Sequence, residues 1–134
     1  MGPSLNLLLD THIWLWLRQE KDRLPSSVRR KLARESVTLY LSAACVMEMS
    51  IKQALGKLRL DLTTSEFVEG LLSKGVLPVV VGIDHAILAG ALPLHHRDPF
   101  DRTLVAQAKV DGLTLVTADP RILQYDVPTI DARK

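Results

Sequence analysis

The sequence predicts an α/β domain with a mostly parallel sheet and helices on both of its faces. Short apolar runs alternate with amphipathic segments along the chain, the pattern of strands joined by crossover helices. The apolar residues are mainly aliphatic, with two Phe, two Tyr and two Trp, which favours a layered core over an aromatic-rich β sandwich. The length fits one domain over residues 1–134, with a core at about residues 5–130.

In the first half of the chain, each predicted element has a local signal. Strands are predicted where short runs of Leu, Val and Tyr are bounded by polar residues. Met47, Ile51 and Leu55 recur at helical spacing, and we expect these side chains to face the core. The predicted elements are a strand at Leu5–Leu9, a helix from Thr11 that ends within Arg18–Arg23, a helix from Ser26 to about Arg34, a strand at Val37–Leu41, a helix capped by Ser42 and running from about Ala43 to Leu55, and a helix that starts at Thr63–Ser65.

The second half continues the alternation. Pro78 interrupts the third strand and places it near a sheet edge, because proline cannot donate to the strand ladder. The Asp-Pro pairs at Asp98 and Asp119 predict helix starts, since Asp suits the N-cap and Pro the first helical position. The predicted elements are a strand at Val76–Val81, a short helix capped by Asp84, a loop at Leu92–Arg97, a helix from Asp98 to about Asp111 that Gly112 stops, a strand at Leu113–Val116, a short helix from Asp119, and a strand at Val127–Ile130.

Charge and composition narrow the class of protein. The formal net charge of +2 does not by itself indicate a nucleic-acid binder, because the distribution of charge matters more than its sum. Cys45 has no cysteine partner within the chain, which favours a reducing, cytoplasmic compartment. There is no apolar run of membrane-spanning length and no signal-peptide pattern, so we expect no membrane partner. The fold prediction leaves out Met1–Ser4, part of which is compatible with a cloning remnant.

Acidic residues follow or lie close to the predicted strand ends. Asp10 follows the first strand, Glu48 lies in the helix after the second, and Asp119 follows the fourth. Asp98 and Asp101 begin the helix that precedes the fourth strand. In a parallel sheet all these positions can meet at one edge. Such carboxylates would repel one another unless a hard cation such as Mg²⁺ or Mn²⁺ joined them, and a metal held in this way can activate water and stabilise charge on a phosphodiester.

Each acid also has a purely structural explanation. The Asp-Pro acids are ordinary N-caps, and Asp101 would then favour the helix dipole. Asp10 can cap the first helix, and Glu48 can pair with Lys52 at i+4 on a solvated face. Taken together, these explanations do not account for an acid at position 48 in the middle of a helix. They also treat the position of all these acids at one edge of the sheet as a coincidence.

The histidines are weaker signals. His12 follows Asp10 and fits either the site or the helix surface, whereas His95 and His96 lie in a loop and fit contacts with phosphate or with solvent. No Cys/His spacing indicates zinc, and the sequence contains neither a Gly-rich phosphate loop nor a nucleophile elbow.

Four short segments occur in a distinctive order and spacing: LLLDTHIWLW, LSAACVMEMSIK with LGKL, HRDPFDRTLVAQA, and LTLVTADPRI. Together they resemble the PIN-domain nucleases, and more narrowly the VapC toxins of bacterial and archaeal toxin–antitoxin pairs. The resemblance extends from about Leu5 to Ile130. It implies a three-layer α/β/α sandwich with a central parallel sheet and Mg²⁺- or Mn²⁺-dependent cleavage of RNA.

Carried over through the motifs, the resemblance implies four catalytic acids, namely Asp10, Glu48, Asp101 and Asp119. Asp10, Asp101 and Asp119 would ligate the metal, and Glu48 would position or deprotonate the attacking water or ligate through water. Asp98 competes with Asp119 for the fourth position around the metal.

Four further residues are expected to support the site. Thr11 lies beside the first acid, and Thr117 precedes the last and would orient a metal-bound water. Lys52 and Arg102 are expected to contact the phosphate backbone of the substrate, because basic groups would offset an acidic centre that repels RNA.

The resemblance also implies partners. It predicts a homodimer, an RNA substrate, and a cognate VapB-like antitoxin that forms a hetero-oligomer and blocks the acidic site with a C-terminal segment. Two alternatives stay open. One is a non-catalytic PIN-like module that binds nucleic acid. The other is a flavodoxin-like receiver domain, against which the position of Glu48 within a helix already counts.

Overall fold

The computed structural model describes residues 5–134, and Met1–Ser4, which the fold prediction leaves out, lies outside the described residues. The described chain forms one five-stranded sheet in which every pairing is parallel. The strands are β1 at Leu5–Leu9, β2 at Val37–Ser42, β3 at Leu77–Val79, β4 at Thr114–Thr117 and β5 at Thr129–Asp131.

Helices separate most of the strands, as the alternation of the sequence predicts. The helices are α1 at Thr11–Gln19, α2 at Ser26–Leu32, α3 at Ala43–Ala54, α4 at Thr64–Ser73, α5 at Ile83–Ala91 and α6 at Pro99–Asp111, with short 3-10 turns at Lys21–Arg23 and Ile122–Gln124. No helix among residues 5–134 combines the length and the apolar character needed to cross a bilayer.

The central strands are covered on both faces. Leu7, Leu8 and Leu9 are fully buried in β1, and so are Leu115 and Val116 in β4. Because successive residues of a strand point to opposite faces, consecutive buried residues mean that both faces are packed. The α/β/α architecture predicted from the sequence is therefore confirmed.

Local chemistry fixes the ends of several helices. Gly56 and Gly112 have φ values of 71° and 68°, a left-handed conformation that suits glycine just after a helix. Side chains that accept hydrogen bonds from first-turn N–H groups satisfy donors that would otherwise be unpaired. These capping residues are Asp10 on α1, Ser42 on α3, Thr63 on α4 and Asp98 on α6.

The core face of α3 differs from the prediction. Met47, Ile51 and Leu55 are exposed by 54%, 43% and 62%, so the expectation that they face the core is wrong. Apolar residues occupy more than one stripe of this helix, and spacing alone therefore leaves its rotation undetermined. The buried residues of α3 are Ala44, Cys45, Glu48 and Met49.

Two predicted helix starts differ in detail, whereas α2 begins at Ser26 as predicted, with Pro25 as an N-cap that offers no side-chain hydrogen bond. Gly82, not Asp84, is the N-cap of α5, and its N–H donates to Nδ1 of His85 at 2.9 Å. Asp119 begins a turn whose regular part is only the 3-10 segment Ile122–Gln124.

The strand order, β3-β2-β1-β4-β5, creates a crevice at the middle of the sheet. From β1 the chain builds outward through β2 to β3, and then returns to the other side of β1 to add β4 and β5. Ligands of open parallel sheets bind at such reversals, beyond the carboxyl ends of the strands. The order also differs from the 2-1-3-4-5 order of flavodoxin-like domains, so the receiver-domain alternative is wrong. β3 lies at an edge, as Pro78 predicts.

Candidate active site

The carboxylate of Asp10 lies at the end of β1 and is only 2% exposed. Its Oδ1 accepts hydrogen bonds from the N–H groups of His12 at 2.7 Å and Ile13 at 3.3 Å, so it caps α1. Its Oδ2 accepts a hydrogen bond from the Thr117 hydroxyl on β4. Burial raises the pKa of Asp10 above its ordinary value, although these hydrogen bonds oppose the rise.

The hydroxyl of Thr117 links the ends of the two central strands. It donates to Asp10 and accepts from the N–H of Asp119 at 3.1 Å. Both of these bonds hold protein groups, so Thr117 fixes a carboxylate at the site, and its predicted role in orienting a metal-bound water stays a prediction. Thr11 is buried beside this pair, and its hydroxyl has no hydrogen-bond partner among the described residues.

Glu48 reaches the site from α3 and is 3% exposed. Its Oε2 accepts a hydrogen bond from Nζ of Lys52 at 2.6 Å, which raises the pKa of that ammonium group. Its Oε1 is buried and has no partner among residues 5–134. The i+4 pair considered in the sequence therefore forms, but the carboxylate is in the interior and not on a solvated face.

Two acids come from the first turn of α6. Oδ1 of Asp98 accepts from the N–H groups of Phe100 at 2.8 Å and Asp101 at 3.1 Å, which makes Asp98 the helix cap. Burial, together with the charges of Asp98 and the other acids of the site, raises the pKa of Asp101 to about 8. Asp98 and Asp101 line one cleft with Glu48 and Asp119, so the structure brings these four acids together.

Asp119 follows β4 and is held by two basic side chains. Oδ2 of Asp119 and Oδ2 of Asp101 each lie 2.9 Å from Nε2 of His96, which is itself 4% exposed. The Arg121 N–H donates to Oδ1 of Asp119 at 2.8 Å, and the guanidinium Nε approaches to 3.3 Å. Burial acts to raise the pKa of Asp119, but the hydrogen bonds from Arg121 and His96 outweigh it, so the pKa is lowered.

These groups surround an open cleft of about 440 Å³. Asp10 does not line the cleft, but its charge contributes to the raised pKa of Asp101. The cleft is therefore lined by both acidic and basic side chains. The acids lining it are Glu48, Asp98, Asp101 and Asp119, and the cationic side chains are Lys52, Arg97 and Arg121.

The donor set fits a hard divalent cation. Carboxylate oxygens are the ligands that Mg²⁺ and Mn²⁺ prefer. Oε1 of Glu48 is a buried oxygen without a hydrogen-bond donor among the described residues, and burial together with the charges of the neighbouring acids raises the pKa of Asp101 to about 8. A cation among these oxygens would satisfy both groups.

Arg102 does not fit the predicted contact with substrate, because it is 7% exposed and does not line the cleft. Its guanidinium donates to backbone carbonyl oxygens of Ala89 at 3.0 Å, Leu92 at 2.9 Å, Pro93 at 3.1 Å and His96 at 3.0 Å. All of its nitrogens are therefore used within the protein. Arg102 ties the end of α5 and the following loop to α6.

The sequence offered His96 only as a contact with phosphate or solvent, and it did not single out Arg121. Each contacts Asp119, but only His96 has a local signal. It lies two residues before the N-cap Asp98, and its Nδ1 accepts the N–H of that residue at 3.1 Å. The His-x-Asp-Pro spacing therefore predicts a ring turned toward the start of α6.

Comparisons with known proteins agree with this fold. A family model described as PIN domain matches residues 7–128. Similar solved structures include VapBC2 from Rickettsia felis bound to a DNA fragment from its promoter, with 15% identity over 95% of this chain and 98% of that chain and a TM-score of 0.71. DNA-bound VapBC from Salmonella typhimurium is 21% identical over 96% of this chain and 98% of that chain, with a TM-score of 0.69. A toxin–antitoxin complex from Klebsiella pneumoniae is 16% identical over 94% of this chain and 97% of that chain, with a TM-score of 0.67. No curated protein sequence matches significantly.

Proposed function

Because this chain belongs to the PIN domain family, we propose that it is a metal-dependent endoribonuclease and the toxin of a type II toxin–antitoxin pair. The observation that carries the proposal is the meeting of several carboxylates at the reversal of the strand order. Glu48, Asp98, Asp101 and Asp119 line the same cleft, and burial together with the surrounding charges raises the pKa of Asp101 to about 8. Isolated helix caps have no reason to share one cleft.

Asp10, Asp101 and Asp119 would hold the cation, which we propose to be Mg²⁺ or Mn²⁺. Asp98 is a further candidate, because only its Oδ1 is used in capping α6. When bound, the cation supplies Lewis acidity, which lowers the pKa of a water and neutralises charge on a phosphodiester. The hydrogen bond from Thr117 fixes the Asp10 carboxylate before any ligand arrives.

Glu48 would position the attacking water. Its Oε2 is held by Lys52 at 2.6 Å, which fixes the carboxylate, and its Oε1 accepts no hydrogen bond within the described chain. Oε1 is therefore the oxygen able to accept a proton from water. Arg97 and Arg121, which line the cleft, would contact the phosphate backbone of RNA.

The proposed partners are an antitoxin and a second copy of the chain. The related complex from Klebsiella pneumoniae is described as a toxin–antitoxin complex. In this chain the acidic side chains that line the open cleft suit a basic side chain from an antitoxin segment. The exposed apolar residues Met47, Ile51 and Leu55 are suited to an interface between protomers.

RNA cleavage by the purified protein tests the proposed activity. We expect cleavage with Mn²⁺ or Mg²⁺, none with EDTA, and none for Asp10→Asn or Asp101→Asn, because each variant removes a negative charge from the ion site. At about 100 times the Kd, Mn²⁺ should stabilise the wild type by about 2.7 kcal/mol, and Asp10→Asn should lose this gain.

Asp61→Asn is the matched control, since Asp61 is an exposed acid paired with Arg18 outside the cleft. Full cleavage by both site variants would contradict the proposal. RNA binding without cleavage, and without stabilisation by Mn²⁺, would favour the non-catalytic binding module.

A further inference from the structure

His96 has every polar atom engaged although it lies in a loop. Its backbone N–H donates to the hydroxyl of Tyr125 at 3.0 Å, and its carbonyl oxygen accepts from Arg102 at 3.0 Å. In the ring, Nδ1 accepts the N–H of Asp98, and Nε2 faces two carboxylates. A loop residue fixed at four points has little freedom to adapt to a ligand.

The bond from Asp98 determines which ring nitrogen carries the proton. A backbone N–H can only donate, so Nδ1 must offer its lone pair, and the proton of the neutral imidazole is on Nε2. If Nε2 instead bound a metal ion, the proton would move to Nδ1 and face the hydrogen of the Asp98 N–H across 3.1 Å. The ring is therefore arranged to donate from Nε2.

We propose that His96 is a positioning residue, whose Nε2–H donates to Asp119 and fixes that carboxylate beside Asp101 for the cation, without ligating the cation itself. The inference rests on the proposed function, because it concerns the same metal centre. Both carboxylate oxygens lie 2.9 Å from Nε2 and within 4.8 Å of each other. The buried Nε2 thus donates to Asp119 and keeps that carboxylate next to Asp101.

Arg102 and Tyr125 form the support for this ring. Besides accepting from His96, the Tyr125 hydroxyl donates to the Pro93 carbonyl at 2.7 Å, and Arg102 donates to the same carbonyl at 3.1 Å. The two side chains therefore hold the His96 backbone from α6 and from the chain after β4. This arrangement gives the buried Arg102 a role that acts through His96.

Metal affinity separates a positioning role from ligation. His96→Asn removes the donor at the Nε2 position, whereas His96→Gln places an amide N–H near it. With Kd measured by calorimetry, we expect His96→Asn to weaken Mg²⁺ and Mn²⁺ binding equally, by about 10- to 100-fold, as loss of a residue that orients ligands does. His96→Gln should recover most of that loss for both ions.

Two results would overturn the inference. A much larger loss for Mn²⁺ than for Mg²⁺ in both variants would make His96 a ligand, since imidazole suits transition metals better than Mg²⁺. Unchanged affinity in both variants would leave His96 with no positioning role. Thermal unfolding without metal should accompany these measurements, because a folded His96→Gln keeps the comparison valid if His96→Asn unfolds.

The ring proton supplies a second readout that needs no activity. NMR of the protein labelled with ¹⁵N-histidine should show His96 protonated on Nε2 and not on Nδ1, both before and after Mg²⁺ is added. Loss of the Nε2 proton on adding Mg²⁺ would overturn the inference. If the wild type binds metal but does not cleave RNA, the proposed function fails, while these measurements still decide the role of His96. If the wild type binds neither Mg²⁺ nor Mn²⁺, the proposed function and the role of His96 are both overturned.

Discussion

Asp101 is the acid of the cleft with the clearest conflict between burial and charge. Its side chain is 18% exposed, and the charges of Asp98, Asp10, Glu48 and Asp119 all act on it. In the metal-free protein it keeps a proton that an exposed aspartate would lose. Metal binding must release that proton, so binding and pH are linked at this residue.

The stability of the metal-free protein should therefore fall as the pH rises from about 4 to about 8. Asp101 has a pKa of about 8 when folded and an ordinary value of 3.8 when unfolded, so the folded state binds more protons in this window. The free energy of unfolding then decreases with pH. Asp10, whose pKa burial also raises, acts in the same direction.

Urea unfolding in EDTA at several pH values within this window measures the slope. Asp101→Asn should flatten it, because the amide does not titrate. The Arg133 hydrogen bond lowers the pKa of Asp131 to about 2, so the contribution of Asp131 to stability is lost only below pH 4. Asp131→Asn is therefore the control, because it should leave the slope within the window unchanged. Stability that rises with pH between these limits would show that Asp101 is not the dominant group.

At the scale of single elements, α3 shows that burial is decided by more than hydrophobicity. It turns Glu48 inward and leaves Met47, Ile51 and Leu55 at the surface. The bounds of the helix could be predicted from Ser42 and Gly56, because caps act within one turn. The rotation of the helix could not be predicted, because it depends on which face of α3 packs against strands and acids that are distant in the sequence.

Lys52→Met should destabilise the metal-free protein by about 1–2 kcal/mol, because it leaves the buried Glu48 carboxylate without its partner. The loss is limited because the Lys52 side chain is 40% exposed and solvent screens its charge. Urea unfolding measures the change, and saturating Mg²⁺ should restore most of the loss if a cation serves Glu48. Lys57→Met, on the exposed segment after α3, should change stability little.

Arg102→Met should destabilise the protein by about 3 kcal/mol, since it removes the donors of two buried hydrogen bonds, to the Leu92 and His96 carbonyl oxygens, and of two partly buried ones. Arg102→Lys should recover little of this, because an ammonium cannot reproduce the spread of guanidinium donors. Urea unfolding gives the stability, and filter binding gives the affinity for RNA. If Arg102→Met keeps its stability but binds RNA more weakly, Arg102 contacts the phosphate backbone as the sequence predicted. Arg97→Met, which removes a cation that lines the cleft, shows how large a loss of RNA binding such a contact produces.

For the molecule as a whole, the layering could be predicted because it repeats along the chain. Every strand and helix carries its own periodicity, and the acids after β1, β2 and β4 indicated a shared edge. The strand order could not be predicted from the residues alone, because pairings such as β1 with β4 depend on contacts between distant segments. The roles of His96 and Arg102 were missed for the same reason, since their partners lie on separate elements.

The hydrogen bond between Thr117 and Asp10 joins residues that are 107 positions apart. Because synthesis runs from the N-terminus, β1 leaves the ribosome long before its neighbour β4 exists. The nascent chain therefore carries its first acid on a strand with one unpaired edge, and a peptide that stops before β4 contains neither Thr117 nor Asp119. For a protein proposed to cut RNA, the cleft cannot assemble until β4 and the residues that follow it have been synthesised.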